Sequence, residues 1–203
     1  MKFIPSILLF FFLLSFSSCS TKTVEPELPD ANPPAPVIPE EPIPEKEKML
    51  WFDAEANFER FSKKENITYY LDLAKSTGFN KIVVDVRPVQ GDALFKSSYL
   101  TPLTDLAGIH IERDWDYLQF FIDEAHKREL KVTVSTTIFT AGLPSSKNGM
   151  AYRDDTWNGK TCLEYTKDQG LIDIKNDKTK VSAFLNPVLP EVQDFCLNFI
   201  KEL

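Results

Sequence analysis

Residues 81–95, KIVVDVRPVQGDALF, decide the fold. Ile82, Val83, Val84 and Val86 read as a buried β-strand, yet Asp85 and Arg87 stand inside it and Asp92 follows closely. Successive side chains of a strand point to opposite faces. Asp85 and Arg87 therefore fall on one side, and Ile82, Val84 and Val86 on the other. Two further segments repeat the pattern. In 50–55, Leu50, Phe52 and Ala54 alternate with Trp51, Asp53 and Glu55; in 131–138, Val132, Val134, Thr136 and Ile138 alternate with Thr133, Ser135 and Thr137. Across all three, one face is nearly all apolar and the other is polar.

Helical spacing separates these strands. Ile67, Tyr70, Leu71 and Ala74 follow Asn66, which suits an N-cap, and Gly78 suits the position after the helix end. Trp115, Leu118, Phe121, Ile122 and Ala125 form a second stripe with Asp114 as its expected cap. Pro190 opens a third helix carrying Val192, Phe195, Cys196, Phe199 and Leu203. The order β-α-β-α-β-loop-α predicts a parallel sheet covered by helices. A doubly wound sheet would bury both faces of its central strands in apolar side chains. Here one face is polar, which fits the lumen and mouth of a (β/α)₈ barrel, with Asp85 and Arg87 directed inward and Arg87 nearest the rim. The plainer alternative is a polar network in which Asp85 and Arg87 pair with each other or with Asp53.

The beginning of the chain reads differently. Lys2, the apolar run from Ile7 to Phe16 and Ser17-Ser18 make a secretory signal pattern that ends at Cys19. The run is too short to cross a bilayer. Small residues followed by cysteine resemble a lipobox, with Phe16 where leucine is usual, so residues 1–19 are expected to be a lipoprotein signal peptide with Cys19 lipidated. Residues 20–48 hold eight of the fourteen prolines, interleaved with acids. Such a segment cannot bury enough apolar surface to offset its ordering entropy, and it reads as a disordered spacer. The expected location is the bacterial cell envelope, with the membrane reached through the lipid.

Charge and motifs exclude several classes. The formal net charge is −7, of which −4 falls on the spacer (seven acids against Lys22, Lys46 and Lys48), and no basic stripe offers itself to a phosphate backbone. No nucleic-acid partner is expected. His110 and His126 lack metal-ligand spacing, and phosphate-loop, dinucleotide and zinc-protease motifs are missing, so neither metal nor cofactor is expected. Cys196 lies on an apolar stripe and reads as a core thiol rather than a disulfide partner of Cys162.

The blocks GFNKIVVDVRPVQGDALFKSSYL (78–100), FFIDEAHKRELKV (120–132) and AFLNPVLPEVQDFCLNFIKEL (183–203) resemble, in that order and spacing, successive parts of the glycosyl-hydrolase-like family ten, bacterial barrel proteins often exported as lipoproteins. The resemblance spans residues 49–203. It implies a TIM barrel and hydrolysis of glycosidic bonds in polysaccharide or cell-wall glycan. The family's Arg-Pro maps onto Arg87-Pro88, its Gly-Asp-Ala-Leu onto Gly91, Asp92, Ala93 and Leu94, and its Leu-Asn-Pro onto Leu185, Asn186 and Pro187. The chain departs from the family at Thr133 and Thr137, where histidine and asparagine are common, and at Glu129, where glycine is common.

Only 155 residues follow the spacer, against ~250 for a typical barrel, so the expectation is an incomplete barrel of three to four β/α units. The resemblance places the family's most acidic strand beyond Leu203, and residues 49–203 alone are expected to be inactive. Glycoside hydrolysis needs two carboxyl groups flanking the scissile bond. The candidates here are Glu55, Asp53 and Asp85. Arg87, Asp92, Trp157 and Asn186 are the candidate sugar-binding residues, Trp157 as a stacking platform in the long segment 140–183. For Trp157 the alternative is a side chain that pins this loop, and for Asn186 one that shapes a turn. A non-catalytic glycan-binding lipoprotein is the alternative function.

Overall fold

The computed structural model describes residues 46–153 and 155–203; the signal segment, Cys19 and the spacer up to residue 45 lie outside the described residues. Strand β1 (Met49–Phe52) leads through a 3-10 turn to helix α1 (Lys64–Ser76), and β2 (Lys81–Asp85) follows. A small hairpin, β3 (Asp105–Leu106) with β4 (Ile109–His110), precedes α2 (Tyr117–Lys127) and β5 (Lys131–Ser135). The long loop then folds into α3 (Met150–Arg153) and a second hairpin, β6 (Leu163–Thr166) with β7 (Gly170–Asp173), before α4 (Pro190–Ile200).

Strands β1, β2 and β5 form one parallel sheet in chain order, with Phe52 beside Val84 and Val84 beside Val134. Phe52, Ile82, Val84 and Val86 are buried in a single core with Ile67 and Leu71 of α1, Phe121 and Ala125 of α2, and Val192 and Phe199 of α4. Phe52 meets Phe121 edge-on at 5.1 Å, a geometry that adds about 0.5–1.5 kcal/mol beyond burial. Helices α1 and α2 are tied by Arg128, whose Nε donates to Asp72 at 2.6 Å. On the opposite face Trp51 of the edge strand is 60% exposed, while its neighbour Val83 on the central strand is buried.

All three strands stop sooner than alternation predicts: at Phe52, Asp85 and Ser135 instead of 55, 87 and 138. Pro88 supplies the reason in β2. Its ring removes a ladder donor and constrains Arg87 before it. This corrects the expectation that Asp85 and Arg87 share a face. Asp85 ends the paired strand opposite Ser135, whereas Arg87 lies past it and turns into the interior, with no exposed surface.

The expected caps shift as well. Helix α1 begins at Lys64, and Asn66 sits in its first turn, donating to the Arg60 carbonyl at 2.9 Å. Helix α2 is capped by Asp116, which accepts from the Gln119 N–H at 2.9 Å, rather than by Asp114. Pro190 does open α4, and Gly78 has φ 85° just past α1. Glu129, after α2, has φ 54°. It holds a left-handed position that glycine would fill without steric cost. Among the described residues no helix is long and apolar enough to cross a membrane.

Candidate active site

The ends of the three strands converge on a hollow of about 430 Å³ lined by Asp53, Glu55, Ala56, Asp85, Pro88, Val89 and Thr137. Each lining residue has a local cause. Beyond Phe52 the chain turns, and Asp53 fixes that turn by accepting from the Ala56 N–H at 2.9 Å, which carries Glu55 to the same rim. Asp85 is the last residue of β2, and Thr137 lies two residues beyond β5. All of them therefore sit at the carboxyl ends of parallel strands, the side on which such sheets bind ligands.

Asp85 is the group whose chemistry the hollow changes most. Partial burial pushes its carboxyl up to about 6, and the negative charges of Asp53 and Glu55 add to the rise. The backbone N–H groups of Ala54 and Arg87 offset part of it. Desolvation and like charge both disfavour the ionised form. A carboxyl poised near neutrality beside two more exposed acids can hold a proton and donate it to a leaving oxygen.

Arg87 does not line this hollow. Its Nη1 donates to the carbonyls of Thr137 and, at 3.2 Å, Ile138, and its Nη2 to the Thr140 carbonyl at 2.6 Å, while the guanidinium lies 4.9 Å over the Phe199 ring. Burial lowers it to about 10, so it remains a cation at neutral pH. As found here it holds backbone and is closed to a ligand.

Asp92, 2% exposed, is also internally engaged. Both its oxygens accept from Arg153, Oδ1 at 2.7 Å from Nη1, and Oδ2 accepts from Gln90 at 2.8 Å. Two smaller clefts flank the pair, one of about 150 Å³ that also touches Tyr99, Met150 and Trp157, the other of about 230 Å³ reaching Thr104 and Asn148. Trp157 packs on α4, its ring centre 4.7 Å from Phe195, with the Lys160 ammonium 5.6 Å above it. That is the loop-pinning arrangement, with an edge left to the smaller cleft. Asn186 shapes its turn by accepting from the Val188 N–H at 3.1 Å.

The strands thus bring Asp53, Glu55 and Asp85 together, whereas Arg87 and Asn186 lie away from this hollow and Asp92 and Trp157 share the smaller cleft. Thr140, 3% exposed and central to the Arg87 contacts, gives no sequence signal because nothing local marks a threonine as the acceptor of an arginine fifty-three positions earlier. Gln90 had one available cue, its spacing of two from Asp92. Among the described residues no group of three or more histidine, cysteine or acidic side chains is placed to hold a metal, and Cys162 and Cys196 are free thiols.

The sequence model of the family described as Glycosyl hydrolase-like 10 matches residues 47–203. Over 166 residues, 78% of this chain and 10% of the relative, the sequence is 32% identical to the S-layer-related protein of Niallia circulans. Over 135 residues, 66% of this chain and 29% of the relative, it is 29% identical to glycosyl hydrolase DigH of Escherichia coli K12. The chain therefore spans a minor part of the length of either relative.

Proposed function

Because the chain belongs to the glycosyl hydrolase-like 10 family, we propose that the Asp53–Glu55–Asp85 hollow is part of the catalytic site of a glycoside hydrolase acting on polysaccharide or cell-wall glycan. The observation that carries this reading is a carboxyl held near 6 beside two other acids, at the carboxyl ends of parallel strands. Asp85 is the proposed acid, and Glu55 or Asp53 the proposed second carboxylate. The fold proposed for the whole protein is a (β/α)₈ barrel. Sequential strand order, helices on one face and an opposite face bearing the exposed Trp51 support it, since further strands would enclose the polar side. The proposed setting is the bacterial envelope, with lipidated Cys19 as the anchor, supported by the signal pattern of residues 1–19.

The test uses the protein expressed from the complete gene, incubated with purified cell-wall glycan and a panel of plant polysaccharides, with release of reducing ends as the readout. Hydrolysis that falls by ~100-fold or more in Asp85→Asn supports the reading. Hydrolysis unchanged in both Asp85→Asn and Glu55→Gln removes these acids from the reaction. Retention on immobilised glycan without hydrolysis replaces the enzyme with a glycan-binding protein.

A further inference from the structure

Arg87 is fully enclosed, yet no carboxylate touches it among the described contacts. Its two Nη groups are spent mainly on one short stretch, residues 137–140, with the Met150 sulfur 3.9 Å from Nη2, while Nε has no hydrogen-bond partner. Nη1 reaches the carbonyls of Thr137 and Ile138 and, at 3.2 Å, the Thr140 hydroxyl; Nη2 takes the Thr140 carbonyl. The stretch answers in kind. The Thr137 N–H and hydroxyl both donate to the Arg87 carbonyl, at 3.2 and 2.6 Å, and the hydroxyls of Thr137 and Thr140 lie 2.7 Å apart. Phe199 closes the far side. Even the room for Thr140 is arranged. A Cβ on Gly91 would lie 2.6 Å from the Thr140 carbonyl oxygen, so glycine there leaves that oxygen free to meet the guanidinium.

The peptide locked in this way has a second role. The Arg87 N–H serves the Asp85 carboxylate, and Thr137 is itself a wall of the acidic hollow. We propose that Arg87 is a positioning residue, whose clamp on residues 137–140 fixes the Arg87 backbone and the Thr137 wall against Asp85 and so sets the acid's environment. This rests on the reading of the hollow as the reacting site. The physical logic is that of a catalytic group held by neighbours whose own conformations are locked. A planar five-donor fork holds several carbonyls in one fixed geometry, whereas the lysine ammonium is a compact charge with three rotatable donors on a flexible stem.

The experiment follows the Asp85 carboxyl by ¹³C NMR titration in the 203-residue chain, with no glycan present, and compares the wild type with Arg87→Ala. The amide spectrum reports whether β1, β2 and β5 keep their fold. With the clamp gone, the Arg87 N–H no longer holds the carboxylate, so Asp85 is expected to titrate higher by about half a unit or more. Millimolar ethylguanidinium, filling the vacated space, is expected to restore the wild-type value. A folded Arg87→Ala chain in which Asp85 titrates as before, or lower, overturns the proposal. Should Arg87→Ala fail to fold, Thr140→Val decides, because Thr140 touches the clamp and not the hollow. An upward shift in Thr140→Val that is absent in Thr140→Ser sustains the positioning role, and equal values in the two refute it. Neither readout depends on hydrolysis, so an inactive product of the complete gene would count against the proposed function, whereas an unshifted Asp85 would count against the clamp alone.

Discussion

At the scale of single residues, Asp85 couples the hollow to stability. Its carboxyl is raised from an ordinary 3.8 to about 6, so between these values the folded chain binds a proton that the unfolded chain has lost. Stability contributed by Asp85 is thus full below about pH 4, falls as pH rises through the window, and is absent above 6. Water at the mouth of the hollow limits the size of the effect to about 1 kcal/mol. Asp85→Asn is therefore expected to be about 1 kcal/mol more stable than the wild type at pH 7.5 and equal to it at pH 4, as measured by urea unfolding at the two values. Identical curves at both would mean that Asp85 is solvated like a surface acid. The conflict between folding and chemistry is confined here, because acids tied to bases elsewhere shift the other way. The bonds from Lys127 and Arg128 to Glu124, for example, hold that carboxyl below its usual range.

At the scale of elements, structure is legible in the chain where one periodicity runs long enough and is hidden where a single residue decides the outcome. The alternation in 81–86 and the helical stripes of α1, α2 and α4 gave the order of the sheet and its buried face. The ends were not legible in the same way. Whether Asp114 or Asp116 caps α2 depends on where the preceding loop delivers the chain, and that is settled by a distant contact: Asp116 also accepts from the Lys96 N–H at 2.9 Å. Asp116→Ala is expected to cost about 1–2 kcal/mol through loss of the cap and this tether, while Asp114→Ala changes stability by less than about 0.5 kcal/mol. Chemical denaturation of the two variants would discriminate, and equal effects would contradict the assigned cap. The acids of the candidate site were visible because they sit on or beside strands. The engagement of Arg87 and Asp92 was not: Arg87 turns to the carbonyls of residues 137–140, just where the strand pairing has ended, and Arg153, which holds Asp92, comes from the long loop, whose course no periodicity describes.

At the scale of the whole molecule, the described residues form one core with a helix-covered face and an opposite face bearing the exposed Trp51, and the acidic hollow lies at one end of the sheet. The proposed envelope anchoring belongs to this scale. Cys19→Ala is expected to move the protein from the membrane fraction to the soluble fraction in cell fractionation, and unchanged sedimentation with membranes would dismiss the lipid anchor. The clamp around Arg87 has a further consequence for the order of events during synthesis. When β2 leaves the ribosome, Arg87 has none of its acceptors, because residues 137–140 arrive some fifty positions later and Phe199 later still. Until then the guanidinium stays hydrated, and the end of β2 cannot settle. The first βαβ unit should therefore remain provisional while the chain is being made, becoming protected from hydrogen exchange only after α4 has emerged and docked.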